Sequence, residues 1–589
     1  MIRKVLPFVT ILAACSGSMT PSSSPIPGAA SMPPSDGSPI VWPDEGPRTW
    51  TTRPTEVAIT ANDLRTRLYR ISHDSMAGRR IGEPGNFKTT EYIASEFRRL
   101  GLRPAGDNGT YFQNLPWGTL VFDIAQSRLT AGPAMLEPRR EWVPTIPTAN
   151  NGIAGRAALE NVPSVFVGRW GDSSVTFDPT LVRGKVVVFL APLPPANPAA
   201  GGRGGGRGNA APGLTDPRPR IPGAAAVLMV SPDSVASTTG AAFAMRNGMQ
   251  VVPAGDAIPA ATISTPAAAR IFGKPVSELA MGNTGQPITA SWNYEYRVSP
   301  TPGRNVVAVL PGSDPARATQ YVLVGAHPDH VGTTAVGVDH DSLRAFNKVM
   351  RPQGANDRPG APTADQQRRI DSLIRYARSI RPPRRDSINN GADDDGSGTV
   401  VMLEIAERFV TERPARSIIF ISHQGEEAGL LGSKWFVDHP TVPRDSIVAA
   451  HNMDMLGKGR VTDVKFGGPS SVQTLGSRRL SREFGDIIDS VNAISPEPMA
   501  IDRSWDHPSN PLNRFCRSDQ VNYVRSNIPV TYFSLGYSAD YHQVTDEPQY
   551  IDYDHSARLG RFIHAIMTAV ANRDKRPVVA GPDPLYPNC

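Results

Sequence analysis

Residues 321–330 read YVLVGAHPDH, an apolar run that is followed at once by two histidines and a carboxylate. Near-continuous apolar runs of this kind are typical of strands that are buried on both faces of a sheet. Further apolar runs, and the helix-like stretches between them, lie at 305–310, 399–410, 417–421, 528–533 and 556–572. Because strands alternate with helices, we predict an α/β fold with a mostly parallel central sheet that is flanked by helices.

The length and composition of the chain narrow its class. Its 589 residues predict more than one folded unit. The 57 prolines argue against a coiled coil or a long helical bundle, because Pro removes a helix hydrogen bond and clashes with the preceding turn. Hydrophobic residues make up 39 % of the chain, which is enough for sizeable cores, and no internal apolar run reaches the roughly 18 residues of a transmembrane helix. The net charge of +6 is small for this length and implies no nucleic-acid partner.

The N-terminus has the pattern of an export signal. Two basic residues precede a short apolar stretch, residues 5–14, which is too short to span a bilayer. Residues 12–15 read LAAC, which resembles the lipobox of bacterial lipoproteins and implies that Cys15 is lipidated. We therefore expect a lipoprotein of the bacterial outer membrane, facing the periplasm or the cell surface, with residues 1–15 as the signal peptide and 16–47 as a Ser/Pro-rich tether. An ordinary secretory signal is the alternative.

Five short polar segments carry the candidate chemistry. They are HPDH at 327–330, GADDDG at 391–396, GEEAG at 425–429, NMD at 452–454 and YH at 541–542. Binding crevices of open α/β sheets lie beyond the carboxyl ends of the strands, so we expect these segments to converge. Their His, Asp and Glu side chains are ligands that zinc accepts, and two metal ions about 3.5–4 Å apart need a carboxylate between them.

The five segments, in this order, resemble the zinc-dependent exopeptidase family that includes bacterial leucyl aminopeptidases, aminopeptidase Y and the plasma glutamate carboxypeptidase. The family pattern runs HxD, GADD, EE, D and H, and this chain shows GAHPDH, GADDDGSGT, GEEAGLLGS, HNMDM and DYHQVTDEP. Residues 78–113 also resemble the entry segment of the larger members. The resemblance implies an exported di-zinc metallo-exopeptidase, most simply an aminopeptidase that acts on peptides.

The resemblance also implies which residues bind the two Zn²⁺ ions. One ion is bound by His327 and Asp454, and the other by Glu427 and His542. Asp394, the second Asp of GADDDG, bridges the two ions, and it is the family pattern alone that selects it over its two neighbours.

Two further acidic residues have implied roles in catalysis. Glu426 is the general base, which takes a proton from the attacking water and later passes it to the leaving amine. Asp329 orients His327 and fixes its tautomer. Neither is expected to bind metal.

Strand-like phrases between residues 151 and 290, namely VRGKVVVFL, GAAAVLMV and IPAATIS, resemble the protease-associated domain that is inserted in several exopeptidases. The resulting division of the folded chain is the N-terminal part of the catalytic domain (48–150), the inserted β-rich domain (151–290), the main catalytic domain (291–574) and a C-terminal tail (575–589). Within the first part, Thr89 and Thr90 are expected to cap a helix that ends at Gly101.

The chain departs from the family pattern in three places. His327 and Asp394 lie 67 positions apart, and the long insert at 331–390 contains an amphipathic helix with seven Arg and three Asp over 365–386. This helix is either packed on the rim of the site or a lid that attracts acidic peptide termini or lipid headgroups. The family's SDH triplet reads Ser-Asp-Gln at 518–520. Phe515 stands where some relatives place a Tyr that can hold the oxyanion, so that role is not carried over.

Several further features are left open or are interpreted as structural. Cys516 and Cys589 either form a disulfide in an oxidising compartment or remain free thiols. The histidines outside the ligand set are interpreted as structural; they are His330, His340, His423 and His451. The oligomeric state and the preferred substrate side chain are not predicted.

Three other functions compete with a di-zinc exopeptidase. A transferase that resembles glutaminyl-peptide cyclase shares the fold but works with one zinc ion. A receptor-like binding protein would keep the fold and lose ligands, whereas this chain keeps all five ligands and Glu426. A serine hydrolase is disfavoured because no G-x-S-x-G elbow stands at a strand end.

Overall fold

The computed structural model describes residues 39–147, 152–170, 178–192, 216–231, 245–250, 255–507, 510 and 512–581. The signal peptide, Cys15, residues 16–38 of the expected tether and Cys589 lie outside these ranges, and Cys516 is disulfide-bonded. The α-helices of the described residues are α1 (Ala61–Ile71), α2 (Pro84–Arg99), α3 (Pro179–Val182), α4 (Thr265–Phe272), α5 (His340–Met350), α6 (Ala364–Ile380), α7 (Gly398–Phe409), α8 (Leu431–Asp438), α9 (Arg482–Ile494), α10 (Gln520–Arg525) and α11 (Tyr553–Asn572). Within the described part of the chain, none of the helices has the length and apolarity needed to span a bilayer.

The larger unit is built on a nine-stranded sheet. Its strands are β1 (Arg103–Pro104), β2 (Phe112–Asn114), β14 (Arg304–Leu310), β15 (Tyr321–Ala326), β18 (Ser417–Ser422), β19 (Ile447–Met453), β20 (Ser471–Leu475), β21 (Ala500–Asp502) and β22 (Val530–Ser534). They lie in the order β1-β14-β18-β15-β19-β22-β20-β21, and β2 pairs with β14.

The centre of this sheet is parallel and its flanks are antiparallel. Strands β18, β15, β19 and β22 run parallel, while β14 and β20 pair antiparallel on either side of them. Every residue of the four central strands is buried, as the continuous apolar runs predicted. One face packs against α1, α2, α7, α9 and α11, and the other packs against α8 and α10. The arrangement confirms the predicted α/β fold.

One helix boundary differs from the prediction. Helix α2 begins at Pro84, so Thr89 and Thr90 lie inside the helix and are buried rather than capping it. Proline is favoured at the first helical position because its missing N–H has no partner there in any case and its fixed φ suits a helix.

The second unit is β-rich and contains an eleven-stranded sheet. Its strands are β3 (Trp117–Phe122), β4 (Arg128–Ala131), β5 (Ala134–Met135), β6 (Trp142–Pro144), β7 (Ile153–Ala154), β8 (Arg156–Arg169), β9 (Val186–Leu190), β10 (Ala226–Val230), β11 (Met245–Met249), β12 (Ile258–Ile263) and β13 (Thr284–Val298). The sheet extends beyond the predicted range of 151–290 on both sides, since β3 pairs with β13 over residues 118–122 and 294–298. The local sequence pattern shows no such long-range pairing. The likeness of this unit to a protease-associated domain stays a prediction.

The insert at 331–390 forms a small subdomain of its own. Its strands β16 (Thr333–Asp339) and β17 (Arg385–Ile388) pair antiparallel, and the predicted amphipathic helix is α6. Ile370 and Ala377 of α6 are buried in a core that α6 shares with α5. Arg378 and Arg381 form ion pairs with Asp339 and Asp341, so part of the positive charge of α6 is neutralised inside the subdomain. These contacts favour a packed helix over a charged lid.

The segment 39–47 is folded onto this subdomain, which corrects the expectation that the tether reaches residue 47. Trp42 is only 2 % exposed, and its indole N–H donates to Asp341 Oδ1 over 2.9 Å. Glu45 accepts the backbone N–H of Trp42 and lies 2.5 Å from Arg381 Nη1. The Ser/Pro-rich composition concealed a short segment whose apolar side chains and carboxylate have specific partners.

We expect Trp42→Ala to release this segment from α5 and α6. Loss of a fully buried Trp costs about 3–5 kcal/mol, and here it also removes the hydrogen bond to Asp341. Limited trypsinolysis followed by mass spectrometry should show faster cleavage after Arg48. Ile40→Ala is the matched control, because Ile40 is 45 % exposed. Equal cleavage rates in the two variants would show that Trp42 does not hold the segment.

Candidate metal centre

The five polar segments meet at one edge of the central sheet. Three of them directly follow β15, β18 and β19, and His542 lies in the loop after β22. The GADDDG segment immediately precedes α7. Since these four strands are parallel, their carboxyl ends share an edge, and the segments converge there as the sequence predicted.

One cluster of ligand atoms surrounds the His327 side chain. Its Nε2 lies 3.4 Å from Asp394 Oδ1 and 3.6 Å from Asp454 Oδ1. Its Nδ1 lies 3.2 Å from the backbone carbonyl of Asp329 and 3.8 Å from the Asp329 carboxylate. An Nδ1–H that donates to this carbonyl leaves the Nε2 lone pair free for a metal ion. The orienting role that the sequence assigned to the Asp329 side chain is thus shared with its backbone.

A second cluster of ligand atoms surrounds the His542 side chain. Its Nε2 lies 2.9 Å from Glu427 Oε1 and 3.0 Å from Asp394 Oδ2. The ring of Tyr541 stacks on that of His542, with centroids 3.8 Å apart. Asp394 therefore presents one oxygen to each cluster, which is the geometry of a bridging carboxylate. His330 also reaches this second cluster, because its Nδ1 lies 2.9 Å from Glu427 Oε1.

The three consecutive aspartates have different environments. Asp393 Oδ1 accepts the backbone N–H of Gly457 over 2.6 Å. Asp395 accepts three backbone N–H groups at 2.9–3.1 Å, although it also lies near the His327 cluster. Asp394 Oδ2 has no well-aligned hydrogen-bond partner. The environment thus favours the middle Asp as the ligand, the same residue that the family pattern indicates.

A buried network fixes the backbone that carries Asp394. Asp546 accepts the N–H groups of Asp393 and Asp394 at 3.0–3.1 Å. Lys458 Nζ lies 3.0 Å from Asp546 Oδ1 and 3.0 Å from Asp540 Oδ2. Burial opposes a charged ammonium, but these carboxylates raise the pKa of Lys458 well above its ordinary value. One ammonium group thus ties the segment of Asp394 to the loop of His542.

Glu426 lies beside both clusters without being central to either. Its Oε2 is 3.9 Å from His327 Nε2, and its backbone N–H donates to Asp329 Oδ1 over 3.2 Å. Burial raises the pKa of Glu426 well above its usual value and that of Asp329 to about 6. A carboxylate that is readily protonated near neutral pH is suited to accepting and returning a proton.

The carboxylates favour positive charge at two centres. Burial alone would lower the pKa of His327, but the surrounding carboxylates, Glu426 foremost, raise it well above its ordinary value. Burial opposes the charged form of His542 as well, and the charge of Glu427 leads those that raise its pKa to about 10. Negative charge that is crowded in a buried site is stable only with a compensating cation.

Residues 370–567 match the model of peptidase family M28. The chain carries an M28 peptidase domain. This match confirms the zinc-exopeptidase family that the motifs indicated. It begins beyond His327 and contains the other four segments of the site.

The chain is also similar to individual proteins of this kind. A probable zinc metalloprotease of Pyrenophora teres f. teres is 26 % identical over 211 residues, which are 32 % of this chain and 42 % of that protein. A probable leucine aminopeptidase 1 of Trichophyton verrucosum is 28 % identical over 211 residues, 32 % of this chain and 52 % of the relative. The chain thus spans about half the length of the curated relatives it matches. An aminopeptidase from Aneurinibacillus sp. strain AM-1 matches at 16 % identity and a TM-score of 0.42, over 88 % of this chain and 96 % of that chain.

Two departures from the family pattern are built into the core of the M28 domain. Phe515 is 1 % exposed and packs in the cluster on the α8 and α10 face of the sheet. Gln520 donates to the Phe515 carbonyl over 2.5 Å and accepts from the Asn452 side chain over 2.9 Å. These positions stabilise the fold beneath the site, which agrees with leaving the oxyanion role unassigned.

Three of the four extra histidines have structural surroundings, and the fourth does not. His340 Nε2 lies 2.7 Å from Glu547, and His423 Nε2 lies 2.8 Å from the Tyr523 hydroxyl. His451 is buried between aromatic rings. His330, by contrast, lies in the second ligand cluster of the M28 domain. The signal that points to it is its position in the same strand-end loop as His327, three residues further on.

We expect His451 to make the M28 domain sensitive to acid. Its ring centroid lies 5.4 Å from that of Phe484 and 5.9 Å from that of Phe533, and burial lowers its pKa to about 3. Because the unfolded imidazole titrates near 6.5, its protonation favours the unfolded state increasingly as the pH falls from about 6.5 towards 3, by about 1.4 kcal/mol per unit.

His451→Leu should therefore lose stability less steeply with acid than the parent chain, as measured by urea unfolding between pH 7 and pH 4. His73→Gln is the control, since His73 is exposed. Parallel pH profiles for the parent chain and His451→Leu would contradict a buried, neutral His451.

Proposed function

We propose that the chain is an exported di-zinc exopeptidase, an aminopeptidase that removes N-terminal residues from peptides. The proposal rests on the convergence of buried ligand atoms that lack well-aligned hydrogen-bond partners. These atoms are His327 Nε2, Asp394 Oδ2, Glu427 Oε1, Asp454 Oδ1 and His542 Nε2. Buried polar atoms are rarely left without a partner, so their convergence calls for a bound cation. Imidazole and carboxylate are donors that zinc accepts.

The five residues divide into two positions that share one carboxylate. His327 and Asp454 would hold one zinc ion, Glu427 and His542 would hold the other, and Asp394 would hold both. Zinc ions bound there would supply Lewis acidity, which acidifies water and polarises the scissile carbonyl. Family membership and the names of the fungal relatives support zinc, and the bridging position of Asp394 supports two ions.

Glu426 is the proposed general base. Its carboxylate lies on the side of the His327 cluster and is 11 % exposed, so it can face a water molecule and a substrate. It accepts a proton from the attacking water and returns it to the leaving amine, which a carboxyl group of raised pKa does readily. The hydrogen bond from its N–H to Asp329 fixes the turn on which it stands.

Peptides are the proposed substrates, and no nucleic-acid partner is proposed. Relatives named leucine aminopeptidase 1 support action at a free amino terminus. A transferase that resembles glutaminyl-peptide cyclase remains the second candidate, and the full bridging ligand set favours hydrolysis over it.

We expect Glu426→Gln to lower kcat on aminoacyl chromogenic substrates by about 10²–10⁴-fold, because the amide cannot accept the proton. Its zinc content, measured by plasma mass spectrometry, should stay near two ions per chain, whereas Asp394→Ala should lose zinc together with activity. Glu137→Gln is the matched control, since that side chain is 59 % exposed in the β-rich unit.

Three results would count against the proposal. Full activity in Glu426→Gln would remove the assigned base. One zinc ion per chain, with cyclisation of N-terminal glutamine, would favour the transferase. Equal cleavage of free and acetylated amino termini would exclude an aminopeptidase.

The lipid anchor at Cys15 belongs to the same proposal, with attachment to the outer membrane as its consequence. It rests on the lipobox-like sequence at residues 12–15. In a Gram-negative host, Cys15→Ser should move the protein from the membrane fraction to the soluble fraction, as detected by immunoblotting. An unchanged distribution would contradict lipid anchorage.

A further inference from the structure

The second ligand cluster contains one residue more than a three-ligand zinc position needs. His330 is fully buried, and its Nδ1 lies 2.9 Å from Glu427 Oε1 and 3.7 Å from Asp394 Oδ2. Its ring meets that of His542 edge to face, with centroids 5.4 Å apart. Four donor atoms, one each from His330, Asp394, Glu427 and His542, lie within 4.8 Å of one another.

The unsatisfied atoms of this cluster include His330 itself. Its Nδ1 has no well-aligned hydrogen-bond partner, like Asp394 Oδ2, Glu427 Oε1 and His542 Nε2. A tetrahedral position with metal–ligand bonds of about 2.1 Å has ligand–ligand separations of about 3.4 Å. The separations seen here, from 2.9 to 3.7 Å, lie around this value. The four atoms thus have the composition and the spacing of a complete tetrahedral shell.

The backbone around His330 is built to hold its ring in this place. Arg79, which is fully buried, donates to the Pro328 carbonyl over 2.8 Å and to the Gly391 carbonyl over 2.7 Å. It thereby clamps the loop of His330 to the segment of Asp394. Gly391 has a positive φ of 56°, and a Cβ there would lie 2.5 Å from His330 Cγ. A residue without a side chain leaves the space that the imidazole occupies.

The first cluster has no such fourth residue in the described part of the chain. Around His327 Nε2 the remaining donors are Asp394 and Asp454, since Asp395 is engaged with backbone N–H groups. Zinc positions with four protein ligands are closed and structural in character, whereas those with three keep a place for water or substrate.

We propose that His330 is a fourth protein ligand, through Nδ1, at the position formed by Asp394, Glu427 and His542, and that this position binds its ion more tightly than the one at His327. The inference rests on the proposed di-zinc function and makes its two ions unequal. The tight position holds the ion mainly in place, and the position at His327, next to Glu426, keeps the open coordination site for the reaction.

Zinc titration of the metal-free full-length chain tests this asymmetry. With a competing chelator of known affinity, the parent chain should bind two zinc ions with dissociation constants that differ by at least 100-fold. His330→Gly should raise the dissociation constant of the tighter position by more than the 10–100-fold that loss of an outer hydrogen bond produces. Free imidazole should restore tight binding in His330→Gly, since it fills the vacated space.

Two variants separate ligation from a hydrogen bond or a packing effect. His330→Gln can still donate to Glu427 but is a poor zinc ligand, so it should behave like His330→Gly. His451→Phe removes an equally buried imidazole that is remote from the carboxylates, and it should bind zinc as the parent chain does. Tight binding retained in His330→Gln would assign His330 a hydrogen-bonding role and overturn the proposal.

X-ray absorption at the zinc edge, on the parent chain loaded with one equivalent of zinc, needs no variant. We expect two imidazole ligands, His330 and His542, around that ion. A single imidazole would overturn the proposal even if every His330 variant failed to fold. A parent chain that binds no zinc would instead refute the proposed function, whereas two ions with variant-independent affinities would refute this inference alone.

Discussion

The burial of negative charge at the carboxyl edge of the sheet is the constraint on which the rest of the site depends. Asp393, Asp394 and Asp395 are consecutive and buried, and Glu426 and Glu427 stand opposite them. A carboxylate that leaves water must be paired or hydrogen-bonded. Backbone N–H groups satisfy Asp393 and Asp395, while Asp394 and Glu427 retain unsatisfied oxygens. The fold thus solves most of the problem itself and leaves the remainder to bound cations.

The same constraint extends outward as a chain of alternating charges. Asp546 holds the backbone of Asp394, Lys458 joins Asp546 to Asp540, and Arg344 joins Asp540 to Asp44. The last of these residues belongs to the segment 39–47, which packs against the insert. A single run of buried ion pairs therefore connects the N-terminal segment to the bridging carboxylate. The insert that lengthens the spacing between His327 and Asp394 is part of this support and encloses the site from one side.

The sequence predicted those features that depend on local patterns. Strands such as β15 and β18 are buried on both faces, so their continuous apolar runs identify them, and the polar residues at their ends follow from the topology of a parallel sheet. The pairing of β3 with β13 depends on contacts between distant residues, which no local pattern records. His330 was interpreted as structural because its neighbours in the sequence do not reveal that Glu427 lies 2.9 Å from its Nδ1. Trp42 was concealed by the prolines and serines around it.

The fold of the segment 39–47 has a practical consequence for recombinant work on this protein. Composition alone would suggest starting a shortened polypeptide at residue 48, where the Ser/Pro-rich stretch gives way to helix-forming sequence. Such a truncation would leave Arg381 without Glu45 and Arg344 without Asp44, and it would bare the apolar surface that Trp42 covers. A purification tag is better placed upstream of Pro39, so that the whole segment is retained.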